Sequence, residues 1–280
     1  MSRVVRVAGL TVIDVKSAKE SYVEEAYVGL MGLAFDRRFM VVEEKSGMFV
    51  AQRQSKGLGI PIKRMCLVSA VVKDGVMELR APGMHPLRFS GDGEETIKGQ
   101  RIVQVWKDRV VAIDQGRDVA EWFSDFLSVE RPGDYRLVRM PITTVRAAKS
   151  GGGRQAFHDG YPFMMISQAS LDDLNSRIPE GDQVPMNRFR PTIVLEGCDP
   201  YEEDTWQIIS IDGVHFTGET QCVRCPITTI NQDTAERGKE PLKTLATYRR
   251  IETGEVAFGR NFNHFGVGTI RVGSEVKIVR

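Results

Sequence analysis

The chain has 280 residues and a net charge of +1, and 41% of its residues are hydrophobic while 27% are charged. This composition is typical of an ordinary globular protein with one large or two medium domains, and the balanced charge predicts no nucleic-acid partner. No apolar run approaches the roughly 18 residues of a membrane span, so no membrane association is expected. The N-terminus lacks the pattern of an export signal and the chain has only 4 cysteines, so we expect a cytoplasmic protein with reduced thiols.

Short β-branched runs dominate the first hundred residues and predict strands. These runs cover residues 4–15, 39–43, 48–52, 65–72 and 77–79. Turn sequences at 45–47 and 73–75 separate neighbouring runs and predict hairpin connections. The spacing indicates a small sheet sandwich or barrel in this part of the chain.

The rest of the chain mixes strands with a few helices. Apolar residues Trp122 and Phe126 predict a helix around 120–127, and Leu171 and Leu174 predict another that begins near Ser167. A third helix is expected after Pro241, with Leu242, Leu245 and Tyr248 on its inner face, and strands are expected at 192–196, 206–211, 214–217 and 270–279. The predicted fold class is therefore mainly β with a few packing helices (α+β).

Residues 146–154 form a tract of glycines and basic residues, which predicts a loop. Two interpretations stay open for it. The tract is either a solvated linker, or a lid or anion-binding loop beside an active site.

Cys222 and Cys225 are the most informative pair in the chain, because half of its cysteines lie within four residues. A structural zinc site needs about four ligands, whereas the histidines are scattered singly. A redox dithiol prefers the start of a helix, but Pro226 and the β-branched run 227–230 predict a strand. Three interpretations remain: one thiolate that binds a metal, a redox dithiol, and two reduced structural cysteines.

Basic residues lie beside strand-like segments at three places, which is costly unless they bind an anion or reach solvent. Each cluster alone is typical of a surface pair. Arginine is suited to bidentate capture of phosphate, so Lys16, Arg37, Arg188 and Arg190 together predict a phosphate-binding pocket. A thiolate ligand combined with such a pocket indicates a metal held by a phosphorylated organic cofactor.

Motifs spread along nearly the whole chain resemble those of MOSC domains, in the branch of the mitochondrial amidoxime-reducing component and its bacterial relatives. The motifs lie at residues 15–17, 32–37, 53–54, 159–163, 169–175, 189–191, 222–225, 228–229, 240–245, 248–249, 258–259 and 271–273. The resemblance implies an N-terminal MOSC-type β-barrel domain over residues 1–115 and a β-barrel MOSC catalytic domain over residues 116–280. One departure is Asp14, which stands where a proline is usual.

The resemblance also implies a molybdenum cofactor, Mo-molybdopterin. Cys225 is then the metal ligand and Cys222 only its neighbour. The residues expected to hold the pterin and its phosphate are Lys16, Ser17, Arg37, Arg188, Arg190 and Arg224. Asp159 and Tyr161 are candidates for shaping the substrate mouth or relaying protons.

The implied activity is reduction of small N-hydroxylated compounds, namely amidoximes, hydroxylamines and N-hydroxylated bases. Because the sequence lacks the four-cysteine spacing of an iron–sulfur cluster, electrons are expected from a separate protein of the ferredoxin, flavoprotein or cytochrome type. We expect this donor to dock on a basic surface around Arg146, Lys149 and Arg154. Two alternatives stay open, a cofactor carrier or sulfur-transfer module and a plain redox dithiol protein.

Overall fold

The computed structural model describes residues 3–54, 57–91 and 99–280. Strands dominate these residues, so the prediction of a mainly β protein with a few packing helices is confirmed. In chain order the strands are β1 (Arg6–Val12), β2 (Ser21–Val23), β3 (Glu25–Gly29), β4 (Gly32–Leu33), β5 (Phe39–Glu43), β6 (Val50–Ala51), β7 (Ile60–Pro61), β8 (Ser69–Lys73), β9 (Val76–Arg80), β10 (Leu87–Ser90), β11 (Gln100–Val105), β12 (Asp108–Asp114), β13 (Tyr135–Arg139), β14 (Phe163–Ser167), β15 (Ile193–Glu196), β16 (Ile208–Ile211), β17 (Val214–Val223), β18 (Ala257–Phe265), β19 (Gly268–Arg271) and β20 (Val276–Ile278). The α-helices are α1 (Arg117–Ser128), α2 (Gln168–Arg177) and α3 (Leu242–Leu245).

The largest sheet joins the two ends of the chain. Its order is β2-β1-β15-β14-β18-β17-β16-β20, and all its neighbours are antiparallel except the parallel pair β14–β15. One face buries a core that includes Val7, Leu10, Phe163 and Phe216. The predicted domain division between residues 115 and 116 stays a prediction, and this sheet crosses it. The pairing of β1 with β15 also brings the loop after β1 close to the residues that precede β15.

A second layer of smaller sheets carries the middle of the chain. One sheet has the order β11-β12-β13-β5 and another β10-β9-β8. Helix α1 covers this region, because Trp122, Phe123 and Phe126 recur on one face and pack against buried residues of β5 and β13. The helix predicted around 120–127 is confirmed. The turn predicted at 73–75 is confirmed as the tight link between β8 and β9, with Asp74 in the left-handed region.

Helix α2 confirms its prediction from local signals. The hydroxyl of Ser167 accepts a hydrogen bond from the amide of Ser170, at 3.1 Å, which caps the helix N-terminus. The third predicted helix is much shorter than expected, because α3 ends at Leu245 and Tyr248 lies in the turns that follow. These turns bring Arg249 into an ion pair with Asp204. No helix within the described ranges is long and apolar enough to cross a membrane.

The predicted strand over residues 227–230 is wrong, because Pro226–Thr229 forms a short 3-10 helix. The hydroxyls of Thr228 and Thr229 donate hydrogen bonds to the carbonyls of Cys225 and Pro226, at 3.0 and 2.7 Å. Such bonds to nearby carbonyls compete with strand pairing, and a proline in the first position already has a helical φ.

Three other strand predictions need correction. Residues 63–67 form a 3-10 helix, so the strand predicted from 65 begins only at Ser69. The strand predicted over 48–52 shortens to β6, and the closing strand predicted over 270–279 is split into β19 and β20. The remaining predicted strands correspond to β1, β5, β9, β15, β16 and β17.

Candidate active site

Cys225 lies just after β17, at the start of the 3-10 helix. Its carbonyl accepts hydrogen bonds from the amide and the hydroxyl of Thr228, at 3.1 and 3.0 Å. The residue is half-buried, and no hydrogen bond reaches its sulfur from the part of the chain that the structure describes. The backbone of Cys225 is therefore fixed while its sulfur is available to a ligand.

Cys222 has different surroundings. The guanidinium of Arg224 donates one hydrogen bond to the Cys222 sulfur, at 2.9 Å, and another to the carbonyl of Phe189, at 2.6 Å. The Cζ atom of Arg224 also lies over the Phe189 ring, 5.4 Å from the ring centroid. The Nε of Arg224 is buried and has no partner among the described residues. The strand predicted over residues 227–230, which argued against a redox dithiol, is absent. The two sulfurs are therefore distinguished by their unequal surroundings.

Arg188 supports the backbone around Cys225. Its Nε donates to the carbonyl of Thr228, at 2.9 Å, and its Nη2 donates to the carbonyl of Glu240, at 3.3 Å. Burial lowers the pKa of this guanidinium below its ordinary value. An arginine nevertheless remains charged in proteins. Arg188 therefore adds a buried positive charge next to the 3-10 helix, at the carbonyl of Thr228.

Arg190 connects the two parts of the site. It is buried with a left-handed φ of 58°, and its guanidinium donates to the carbonyl of Ala18, at 2.7 Å, and to Gln232 Oε1, at 2.9 Å. The side-chain amides of Gln232 and Gln52 bond each other at 2.9 and 3.0 Å, and Gln52 also donates to the carbonyl of Ser17, at 2.9 Å. This buried network holds the loop after β1 against the segment that follows Cys225.

Lys16 is buried, with only 4% of its surface exposed. Its ammonium donates to the carbonyl of Phe157, at 2.7 Å, and forms an ion pair with the more exposed Asp159. The indole of Trp106 donates to the same Asp159 oxygen, at 2.9 Å. Burial lowers the pKa of Lys16 to about 8, and Arg146 and Arg37 add to this effect while Asp159 opposes it.

Asp36 anchors Arg37 from inside the protein. One of its oxygens accepts from Arg37 Nη1, at 2.6 Å, and bonds His158 Nε2, at 2.8 Å, while the other accepts from the amide of Ile13, at 2.8 Å. Burial opposes ionisation of Asp36, but Arg37 and His158 outweigh it and hold the pKa of that carboxyl below its ordinary value. Arg37 is thus fixed beside Lys16 by a charged carboxylate.

The glycine tract is a loop that is tied to the large sheet, although most of its residues are exposed. The amide of Asn263 donates to the Ser150 carbonyl, at 2.7 Å, and the Ser150 hydroxyl donates to Glu219, at 2.7 Å. A Cβ on Gly151 would overlap Glu219. The hydroxyl of Tyr161 lies 2.9 Å from that of Ser150, so Tyr161 contacts the glycine tract.

The predicted docking surface around Arg146, Lys149 and Arg154 is wrong in one residue. Arg146 is only 5% exposed. Its guanidinium binds Asp108, at 2.7 Å, and donates to the carbonyl of His158, also at 2.7 Å. Arg146 therefore supports the chain on which Asp159 lies, and only Lys149 and Arg154 are exposed.

The structure gathers the predicted residues into two adjoining groups. Lys16, Arg37 and Asp159 form one, the segment of Cys225 with Arg188 and Arg224 forms the other, and Arg190 connects them through Ala18 and Gln232. The sequence did not single out Asp36, Gln52, Trp106, His158 or Gln232 as parts of the site. Two of them had a usable signal, since Asp36 lies in the 32–37 motif and His158 directly precedes the Asp159 motif.

Comparisons with known proteins cover almost the entire chain. The MOSC N-terminal beta barrel domain matches residues 4–130, and the MOSC domain matches residues 152–277. Mitochondrial amidoxime-reducing component 1 of Mus musculus is 32% identical over 100% of this chain and 84% of its own. Mitochondrial amidoxime reducing component 2 of Rattus norvegicus is 33% identical over 99% of this chain and 84% of its own. The crystal structure of the YuaD protein from Bacillus subtilis covers 98% of this chain and 96% of its own, but the identity is 10% and the TM-score 0.42, which is too weak to bear on function.

The fold and the two matched domains define a MOSC protein with an N-terminal β-barrel domain. The chain belongs to the MOSC-domain family that includes the mitochondrial amidoxime-reducing components. The resemblance and the fold class predicted from the sequence are both confirmed.

Proposed function

We propose that this protein is a molybdenum cofactor-dependent oxidoreductase that reduces N-hydroxylated compounds such as amidoximes, hydroxylamines and N-hydroxylated bases. One observation carries the proposal: the free sulfur of Cys225 lies in a segment that Arg188 binds at Thr228 and Arg224 binds at Cys222, and Arg190 bonds to the loop that holds Lys16. The relatives named for amidoxime reduction, at about 32% identity over the whole chain, support the class of substrate. A cytoplasmic location is part of the same proposal.

The residues present fit a metal held by an anionic organic group. A thiolate is a soft ligand that suits such a transition metal. The described residues contain no group of three or more His, Cys, Asp or Glu side chains that could hold a metal, so the proposal assigns the other ligands to the cofactor. The buried Nε of Arg224, which has no partner among the described residues, is a donor that an anionic oxygen would satisfy.

Each residue has a distinct role in this proposal. Cys225 binds the metal. Lys16, Ser17, Arg37 and Arg190 hold the pterin and its phosphate, since buried cations with fixed geometry suit a dianion. Arg224 adds its unpartnered donor. Arg188 acts on the site through the carbonyls of Thr228 and Glu240, to which its guanidinium donates.

The proposed reaction breaks the N–O bond of the substrate, consumes two electrons and two protons, and releases water. The cofactor supplies the two-electron oxygen-atom chemistry when it is bound. Asp159 and Tyr161 lie at the edge of the site, where they shape the substrate mouth and can pass protons inward from solvent. The electrons come from a separate protein, because the 4 cysteines of the chain leave only Cys66 and Cys198 beyond the pair.

We expect the protein to contain about one molybdenum and one pterin per chain when it is purified from a host able to make the cofactor. The measurement is elemental quantification together with fluorescence of the oxidised pterin. Stoichiometric zinc without molybdenum or pterin would contradict the proposal. Release of the cofactor to an apo-enzyme, without turnover of its own, would instead indicate a carrier.

We also expect the purified protein to reduce benzamidoxime with reduced viologen but not with NADH alone. The physical reason is that the proposed cycle takes up electrons one at a time. The chain lacks the cysteine spacing of an iron–sulfur cluster that could receive them and pass them to the cofactor. Anaerobic assays with each reductant, with and without a candidate donor protein, measure this. Turnover with NADH and no added protein would overturn the requirement for a donor.

A further inference from the structure

His158 is a buried side chain with one nitrogen that the protein itself does not use. Only 2% of the residue is exposed, and its Nε2 lies 2.8 Å from Asp36. Its Nδ1 is buried and has no hydrogen-bond partner among the described residues. A buried polar atom without a partner is rare in proteins and calls for a ligand or an ordered water.

The tautomer of His158 follows from its neighbour. Burial lowers the pKa of His158 to about 4, with Arg37 and Lys16 adding to this effect and Asp36 opposing it, so the ring is neutral at pH 7. The carboxylate of Asp36 is ionised, so it can only accept a hydrogen bond, and Nε2 must carry the proton. The unused Nδ1 therefore has a free lone pair and can only accept.

The surroundings of His158 belong to the proposed cofactor pocket. Arg37 and Lys16 are the two cations whose charges act on its ring, and Asp36 bonds both His158 and Arg37 through the same oxygen. The carbonyl of His158 is also held, since Arg146 donates to it at 2.7 Å. The ring is thus held by Asp36 and the backbone of His158 by Arg146, beside residues that we assign to the pterin and its phosphate.

We propose that Nδ1 of His158 accepts a hydrogen bond from an N–H or amino group of the bound pterin. The inference rests on the proposed function, because it requires the pterin. A ring N–H is the matching partner for a neutral imidazole nitrogen that can only accept, whereas the phosphate of the cofactor offers no suitable donor at neutral pH. His158 then has two separate bonds, one to Asp36 through Nε2 and one to the cofactor through Nδ1.

Two substitutions separate these bonds. In His158→Gln the side-chain amide can place its N–H near the position of Nε2, which keeps the bond to Asp36 but removes the acceptor at Nδ1. In His158→Asn the amide oxygen lies near the position of Nδ1, which keeps the acceptor but removes the bond to Asp36. The two variants are therefore controls for each other.

The test compares pterin retention and protein stability in the two variants and the parent. We expect His158→Gln to release pterin roughly tenfold faster than the parent after gel filtration, the effect of losing about one buried hydrogen bond. Its cofactor-free form should unfold at nearly the parent temperature. His158→Asn should retain pterin nearly as the parent does, while its cofactor-free form unfolds at a lower temperature.

Other outcomes overturn the inference. Parent-like retention in His158→Gln would mean that an ordered water fills Nδ1, and faster release only in His158→Asn would mean that the bond to Asp36 is what matters. The pterin content of the parent protein distinguishes failure of this inference from failure of the proposed function. If the parent itself carries no pterin, the proposed function fails, whereas a parent with pterin and an unchanged His158→Gln variant overturns only the role of His158.

Discussion

Under the proposed function, we expect replacement of Cys225 by Ser to reduce benzamidoxime turnover with reduced viologen by at least about 100-fold. Loss of an outer-shell partner typically costs only roughly 10- to 100-fold. The reason is that serine offers a hard oxygen in place of the soft thiolate that the metal prefers. Folding should change little, because the carbonyl and not the side chain of Cys225 makes the local hydrogen bonds. Molybdenum content, turnover rate and thermal unfolding of the variant are the measurements.

Cys222→Ser is the matched control, since it makes the same replacement of sulfur by oxygen at a cysteine three residues away. The Cys222 sulfur accepts a hydrogen bond from Arg224 at 2.9 Å, and a serine oxygen can accept it as well. Turnover should therefore stay within a few-fold of the parent. If both variants lost activity equally, the pair would act as a dithiol and the assignment of Cys225 as the sole protein ligand would be wrong.

We expect replacement of Asp14 by Asn to stabilise the protein at neutral pH. Asp14 is 4% exposed, and burial, together with the nearby charge of Asp36, raises the pKa of its carboxyl from 3.8 to about 8. Its native form is therefore mostly protonated at pH 7, while the unfolded chain would release that proton. Each unit of pKa difference corresponds to about 1.4 kcal/mol, so the neutral amide should add on the order of 2–4 kcal/mol to the free energy of unfolding at pH 7.

The sign of the pH dependence provides the check. Because the folded pKa is raised, the contribution of Asp14 to stability is fully present below about pH 4 and is lost as the pH rises towards 8. Urea unfolding at pH 5 and pH 8 should thus show a larger advantage for Asp14→Asn at pH 8. Asp182→Asn, at an exposed position, should show no such difference. An equal effect of Asp14→Asn at both pH values would contradict the raised pKa.

Elements with local signals could be predicted from the sequence. Helix α2 has its cap, its apolar spacing and a terminating Pro179 within one short segment, so its prediction needed nothing from the rest of the fold. The residues after Cys225 depart from the prediction because strand propensity and the local bonds of threonine hydroxyls favour different structures. Propensity gives no measure of that competition, so a strand was predicted where a 3-10 helix forms.

The candidate site shows a similar division. The resemblance pointed to Lys16, Arg190 and Cys225 one by one, but it could not reveal what joins them. The pairing of Gln52 with Gln232 connects residues that are 180 positions apart, and neither glutamine lies in a distinctive motif. The burial of a particular side chain also cannot be predicted from composition. Arg146 was expected on a basic surface, whereas its packing against Asp108 is set by tertiary structure.

The pairing of β1 with β15 has a consequence for how the protein is made. The loop that carries Lys16 follows β1, but it acquires its place only when β15 and Gln232 are available, long after the first strand has left the ribosome. Contacts so distant along the chain form late, because the intervening loop must close first. The pocket is therefore complete only after synthesis of the C-terminal segment, and under the proposed function the cofactor would enter after translation, as a final step of folding.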